Sequence, residues 1–190
     1  MGKSLLIMCS CLLLMTMGCS SKKETTGIQQ VLGLQKMSNL ATAEYVVTKI
    51  IKANDNKTWY KIGDRKILMN CKATLTAGID LSQLTEKDIS IDGDRITITL
   101  PHAKLLYLNI KPEDIKTAYR EVSIFRSNFT AQEKDALAAQ AEKQIRGSVE
   151  SLGILVTAET NASLFINNFL QKLGYKNINI NYSSTKIPLQ

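Results

Sequence analysis

A long alternation of apolar and polar side chains from Lys66 to Asp80 constrains the fold more than any other feature. Side chains of a β-strand point alternately to its two faces, so this pattern predicts a half-buried strand. Leu68 is the exception on the polar side. The predicted inner residues are Ile67, Met69, Cys71, Ala73, Leu75, Ala77 and Ile79. Cys71 should therefore be a buried, small hydrophobic residue rather than a reactive thiol.

Turn residues predict further strands around this one. Gly63-Asp64 is typical of a hairpin that joins it to an earlier aromatic and β-branched strand, and Asp92-Gly93-Asp94 of a second hairpin. Pro101 should end the pairing that follows. The segment 41–52 is rich in β-formers, although Leu40, Val47 and Ile51 would also suit a helix. The predicted strands cover residues 41–52, 58–62, 66–80, 89–91, 96–100, 106–110 and 176–182.

The apolar period changes in the second half of the chain. Thr130 and Glu133 have the spacing of a capping box, which begins a helix. Apolar residues then recur every three or four positions up to Leu152, and again from Ile154 to Leu173, where Gly174 suits a helix end. We predict an α+β fold, with a mainly antiparallel sheet of about five to six strands packed by two C-terminal amphipathic helices. The final short strand should rejoin the sheet.

The N-terminus has the pattern of a bacterial lipoprotein signal. A short basic start containing Lys3 is followed by an apolar stretch and then by Gly18-Cys19. The stretch is too short to span a membrane as a helix, which needs about 20 residues. We predict a signal peptide at residues 1–18 and acyl chains on Cys19. Thr16, where such signals usually have Leu, resembles the looser signals of Bacteroidetes.

Two other interpretations of this signal stay open. One is an ordinary secretory signal in which the cysteine is incidental. The other is acylation of Cys11, which would leave the apolar residues 12–17 exposed at the new N-terminus. Cys19 explains the pattern better than either.

The predicted domain organisation follows from the signal. Residues 1–18 form the signal peptide, residues 19–39 the lipid anchor and a polar tether, and residues 40–190 a single α+β domain. We expect attachment to a membrane through the acyl chains on Cys19. Ser20 is not the Asp that retains some lipoproteins at the inner membrane, so the outer membrane is favoured over the inner one. The side that it faces stays open.

The net charge and the cysteine content limit which partners and which disulfides are expected. The chain has 24 Lys and Arg against 17 Asp and Glu, and only Lys3 leaves with the signal. A basic chain can bind nucleic acid, but these lysines are scattered and the predicted compartment argues against it. Contact with anionic lipid or a polyanionic glycan is open, beside a dispersed solvated surface. Cys71 would be the one cysteine left unmodified, so no disulfide can form within the mature chain.

Several short stretches together resemble the family called domain of unknown function 4230. They lie at residues 40–45, 77–81, 98–103 and 153–175, and the resemblance covers about residues 36–182. Similar members are often envelope or lipid-anchored bacterial proteins. The resemblance implies this architecture, but it implies no activity and no catalytic residue.

Chemistry-bearing residues are few. His102 is the single histidine, so zinc or copper would lack nitrogen and sulfur ligands, and no other cofactor is expected. Asp92 and Asp94 are weak candidates for a metal, because two carboxylates on one turn could bind calcium. A hairpin turn also uses Asp and Gly for its backbone angles, and we favour that interpretation.

Gly78 and Asp80 form the motif expected to matter most for structure, as a bend or bulge at the end of the long strand. Two classes of function remain. The first is a non-catalytic envelope protein that binds a protein partner or another envelope component, and it is favoured over an enzyme. The second is an envelope hydrolase or a ligand-binding receptor that uses the acidic turn around Asp92, or His102.

Overall fold

The structure is a computed structural model that describes residues 21–55 and 63–184. Within these residues the chain forms three α-helices and seven β-strands, joined in places by single 3-10 turns. In chain order they are α1 (Ser21–Leu32), β1 (Asn39–Asp55), β2 (Arg65–Asp80), β3 (Ile89–Asp92), β4 (Arg95–Leu100), β5 (Lys104–Asn109), β6 (Ile115–Val122), α2 (Ala131–Gly147), α3 (Ile154–Lys172) and β7 (Asn177–Tyr182).

The strand β2 is the centre of a four-stranded sheet, which we call the large sheet. It pairs antiparallel with β1 along its whole length, from Asn39 opposite Asp80 to Asp55 opposite Arg65. The other edge of β2 is shared, with β6 along its first half and β5 along its second. The predicted long strand is therefore confirmed, and so is the strand interpretation of residues 41–52.

The remaining strands form a second, three-stranded sheet, which we call the small sheet. β3 and β4 make the predicted antiparallel hairpin, and β7 pairs parallel to β4. The α+β class, the mainly antiparallel pairing and the return of the last strand to a sheet are confirmed. The strands divide between two sheets because pairing stops at Pro101, which has no amide hydrogen to donate. The chain then crosses to the large sheet, where β5 pairs with β2.

The core lies between the inner face of the large sheet, the two C-terminal helices and the small sheet. Inner residues of β2 from Ala73 to Ile79 pack against the buried stripe of α3 and against β4. That stripe is Ile154, Ala158, Ala162, Ile166 and Leu170. Two smaller clusters lie under α2, one around Cys71 and Ala141 and the other around Met69 and Phe129. The apolar periodicity of both helices thus matches their buried sides.

The opposite face of the large sheet, which we call the outer face, has no such cover. In β1 it carries Glu44, Val46, Thr48, Ile50 and Lys52, all of them exposed. Their partners across the sheet are the even-numbered residues of β2, among them Thr74 and Thr76. The large sheet is therefore packed on one side only, as is common for antiparallel sheets.

Packing begins before the domain boundary that we expected at residue 40. The 3-10 helix Gly33–Met37 follows α1, and Val31 and Leu34 are buried in the main core. The side-chain amide of Gln35 donates to the backbone oxygen of Leu84. Residues of the predicted tether from Ile28 onward thus contact the folded domain. The signal peptide, Cys19 and the strand predicted at 58–62 lie outside the described residues.

The first turn of α2 is held by the predicted capping box and by an ion-pair network. The Thr130 amide donates to Glu133 Oε2 at 2.8 Å, and the Glu133 amide donates to Thr130 Oγ1 at 3.2 Å. Glu133 also takes two hydrogen bonds from the guanidinium of Arg65, which lowers the pKa of Glu133. Arg65 in turn donates through Nε to Asp55 Oδ2 at 3.0 Å and lies over the ring of Phe129. This network joins α2 to the facing ends of β1 and β2.

Candidate functional site

The best-built polar cluster surrounds His102, in the short connection between β4 and β5. Its Nδ1 lies 2.7 Å from Glu159 Oε1 on α3, and the Ala103 amide donates to the same oxygen at 3.2 Å. The imidazole stacks on the ring of Tyr182, with 5.7 Å between the ring centroids. The His102 side chain is 21% exposed and has partners on two elements, α3 and β7.

Tyr182 completes the cluster from the last strand. Its hydroxyl donates to the backbone oxygen of Glu159 at 2.6 Å and lies 2.8 Å from Ser163 Oγ. Burial raises the pKa of Tyr182, the hydrogen bond with Ser163 opposes that rise, and the charge of Glu159 adds to it. The phenol is thus a hydrogen-bonding group at neutral pH.

Long-range topology brings these residues together. Parallel pairing places Leu100 opposite Tyr182, so the end of β7 lies beside the chain that leaves β4. Glu159 and Ser163 are one helical turn apart and share a face of α3. The sequence did not lead us to predict Glu159, Ser163 or Tyr182 as site residues. The four-residue spacing was a visible signal, but the parallel register of β7 was not.

A carboxylate that orients an imidazole is one arrangement used in acid–base catalysis. His102 Nε2 has no hydrogen-bond partner among residues 21–55 and 63–184. Nucleophilic catalysis would also need a hydroxyl or thiol directed at that nitrogen. The nearby Ser163 hydroxyl instead bonds to Tyr182. The cluster therefore joins α3, β7 and the β4–β5 connection, and it has the geometry of a structural contact.

Asp80 forms a second polar cluster where β2 ends. Its carboxylate accepts from the amide and hydroxyl of Ser82, from Gln83 Nε2 at 3.1 Å and from Lys104 Nζ at 2.9 Å. The hydrogen bonds of Ser82, followed by the bond and charge of Lys104, lower the pKa of Asp80 to about 2. Every one of these contacts is local to the turn after β2 or to the adjacent strand β5. Asp80 caps the turn that begins the connection to the small sheet.

Gly78 lies at a close approach of the backbones of β1 and β2. The register of β1 shifts between Ala41 and Ala43, directly opposite Gly78. A Cβ at position 78 would lie 2.0 Å from the backbone oxygen of Leu40, which is closer than any real contact. The bulge is on β1, and Gly78 is the residue that leaves room for it. This geometry fits the structural interpretation of Gly78 and contains no group that would bind a ligand.

The acidic turn Asp92-Gly93-Asp94 joins β3 and β4 of the small sheet. Gly93 has a φ of +61°, the left-handed conformation that a tight hairpin needs and that glycine adopts without strain. The backbone oxygen of Asp94 accepts from the amides of Lys176 and Asn177, so the turn also holds the start of β7. Among the described residues, no group of three or more His, Cys, Asp and Glu side chains is placed to hold a metal ion.

Cys71 is fully buried, as its position in the alternation predicts. Burial raises the pKa of the thiol, which disfavours the reactive thiolate. In the part of the chain that the structure describes, no helix is long and apolar enough to cross a membrane. Cys19, the predicted acylation site, lies outside that part.

Comparison with known proteins gives one result. The chain matches the family described as "Protein of unknown function (DUF4230)" over residues 33–180. No match was found among curated proteins or among solved structures. The matched region begins within the first 3-10 helix and ends in β7, so it includes both sheets and both C-terminal helices. Because the match covers most of the chain, this protein belongs to the DUF4230 family, whose function is uncharacterised.

Proposed function

We propose that this protein is a bacterial envelope lipoprotein, anchored through acyl chains on Cys19, that binds a partner and catalyses no reaction. The observation that supports a non-catalytic function is that the side chains most suited to catalysis have structural roles. His102 is held by Glu159 and Tyr182, Asp80 caps a turn, and Cys71 is buried in the core. Each performs a packing or capping role that accounts for its contacts.

The anchor is supported by the sequence of the first nineteen residues. One acyl chain gives only marginal membrane binding, and each buried methylene contributes about 0.8 kcal/mol, so two or three chains give stable attachment. With an anchor of this kind, the folded domain needs no membrane-spanning segment of its own. The outer membrane is the favoured location, since Ser20 is not the aspartate of inner-membrane retention.

The second half of α1 packs on the folded domain. Val31 is buried in the main core, Ile28 and Leu32 pack against that core, and Gln29 Nε2 donates to Glu86 Oε1 at 2.9 Å. Only residues 20–27 then separate the proposed anchor at Cys19 from this contact, so the domain lies close to the membrane in this proposal.

Exposed apolar side chains on the outer face support a binding role. Val46 and Ile50 on β1, Tyr107 on β5 and Tyr119 on β6 are all exposed. Aromatic residues are enriched in protein interfaces because they bury large areas with few rotatable bonds. No packing requirement of the described core explains them.

The anchor is tested by labelling producing cells with palmitate and measuring the intact mass of the membrane-extracted protein. We expect a species that begins at position 19 and carries acyl mass. Cys19→Ser should abolish the label and release the protein from the membrane. Cys11→Ser is the matched control and should keep both. Label that persists in Cys19→Ser, or a mature chain without acyl mass, would contradict the anchor.

The binding function is tested against the alternative of a hydrolase or ligand-binding receptor. Crosslinking in intact cells should recover a stoichiometric partner. A calcium-dependent rise in the melting temperature that disappears in Asp92→Ala/Asp94→Ala would instead favour the receptor. The His102→Ala variant, tested for loss of any hydrolysis that the wild-type chain performs on envelope components, is the corresponding test for catalysis.

A further inference from the structure

β1 is an edge strand of the large sheet. It has 17 residues, and its only strand neighbour within the described residues is β2. An edge strand presents unpaired backbone amides and carbonyls. Proteins usually keep such a strand short, cover it, or pair it with another chain. Near its start β1 is covered by α3, where Asn161 Nδ2 donates to the backbone oxygen of Thr42 at 2.8 Å. Between Glu44 and Lys52, no described element makes a hydrogen bond to this outer edge.

The uncovered stretch is apolar where an exposed strand is normally polar. Val46 is 58% exposed and Ile50 is 56% exposed, and both lie on the outer face. Thr48 lies between them, and Glu44 and Lys52 flank them at equal distance along the strand. The outer-face sequence is thus acidic, apolar, threonine, apolar, basic.

That order is self-complementary in an antiparallel pairing. When two copies of β1 pair with Thr48 opposite Thr48, each Val46 faces the other copy's Ile50, and each Glu44 faces the other copy's Lys52. Directly opposed residues have Cβ atoms about 4.5–5.5 Å apart, so apolar pairs and opposite charges there stabilise the pairing. On the inner face this register places Tyr45 opposite Ile51 and Val47 opposite Lys49, so it is the outer face that favours the register.

Shifting the centre of the pairing by one residue in either direction removes these matched pairs on the outer face. Centring the pairing on Val47 places Glu44 opposite Ile50, and centring it on Lys49 places Val46 opposite Lys52. Each of these places a charge against an exposed apolar side chain and leaves the opposite charge without a partner. The side-chain pattern therefore selects one register and one occupant of this edge, which is a second copy of the same chain.

We propose that two copies associate through their β1 edges, with Thr48 at the two-fold axis, and join their large sheets into one continuous sheet. The interface is isologous, so each contact occurs twice. A two-fold axis perpendicular to the sheet keeps the helices of both copies on the same side. The start points of the two β1 strands are then roughly 60 Å apart. The association does not require the lipid anchor, so it can fail or hold independently of it.

The first test is disulfide crosslinking of the full chain in membranes of producing cells. Thr48→Cys should form a covalent dimer under mild oxidation, because opposed Cβ atoms about 4.5 Å apart reach the upper end of the disulfide range, and a small shift of the strands closes the bond. Thr74→Cys is the matched control, since it lies on the same face but on the central strand β2. The unsubstituted chain sets the background from the native cysteines.

The second test is a charge exchange that also fixes the register. Glu44→Lys and Lys52→Glu, each in the Thr48→Cys background, should reduce the dimer fraction by placing like charges opposite each other, with a dissociation constant raised about three- to tenfold. The double exchange should restore it. Within one chain these residues are eight positions apart on one strand, so an effect on folding alone would not be restored.

Three results would overturn the proposal. The first is Thr48→Cys crosslinking no better than Thr74→Cys. The second is a double exchange as weak as the single variants. The third is a Thr48→Cys variant that crosslinks only to a different protein, which would assign the edge to a strand of that protein. Persistence of the dimer in Cys19→Ser is expected and separates this test from that of the anchor.

Discussion

The two faces of the β1–β2 pair differ more than any other two regions of the molecule. On the inner face, Ala73, Leu75, Ala77 and Ile79 are essentially inaccessible beneath α3 and the small sheet. On the outer face of the same strands, Val46 and Ile50 are more than half exposed. Both faces contain β-branched or apolar residues, but only one of them contributes to the core.

This difference explains why β2 alternates cleanly in sequence and β1 does not. The outer face of β2 is almost wholly polar, as expected for a face in contact with water. The outer face of β1 has valine and isoleucine at positions 46 and 50, so apolar residues occupy both faces and the alternation is less clear. Neither side chain belongs to the described core, which agrees with the role in association that we propose for them.

The largest expected effect comes from the inner face. Leu75→Ala should lower the free energy of unfolding by about 3 kcal/mol, because it removes a fully buried side chain and leaves a cavity. Thr74→Ala, the adjacent residue on the outer face, should change it by about 0.5 kcal/mol or less. Urea unfolding of both variants measures the difference. Equal losses in the two variants would break the comparison between the faces.

An intermediate effect is expected at Asp80, where the large sheet ends. Asp80→Asn should lower the free energy of unfolding at neutral pH by about 1–2 kcal/mol, because the carboxylate accepts hydrogen bonds from Ser82 and Lys104. The control is Asp92→Asn, whose carboxylate has no hydrogen bond or ion pair among the described residues. This control substitution should leave the free energy of unfolding almost unchanged.

The lowered pKa of Asp80 also predicts how its contribution to stability changes with pH. The folded-state pKa of Asp80 is lowered from its ordinary 3.8 to about 2, so its contribution to stability is present above pH 3.8 and is lost as the pH falls through about 2. The difference between wild type and Asp80→Asn should therefore shrink over that window. A difference that stays constant down to pH 2 would show that the loss arises from packing.

Much of the fold followed from sequence because its elements carry one-sided patterns. The strand β2 and the helices α2 and α3 each bury one face, and that burial produces the periodicity that the sequence displays. The strand β6 was missed for the same physical reason, since most of its residues are exposed and its pairing with β2 relies on the backbone. The helix α1 was missed because its polar composition resembles a tether.

The polar cluster around His102 could be foreseen only in part. The sequence shows His102 directly after Pro101, where β4 ends. Its partners Glu159 and Tyr182 are distant in sequence, and they meet it only because β7 pairs parallel to β4. A local pattern contains no information on that register. Cys71 was easier to predict, because the alternation of its own strand indicates which face is buried.

One paired measurement tests the central claim, that the outer face of β1 serves association and not folding. The double variant Val46→Lys/Ile50→Lys is compared with the wild-type full chain in detergent, by sedimentation for mass and by urea unfolding of the dilute monomer for stability. We predict that the variant is monomeric where the wild type is dimeric, with the monomer's free energy of unfolding changed by less than about 1 kcal/mol. A wild type that is monomeric, a variant that still associates, or a variant that loses its fold would contradict the claim.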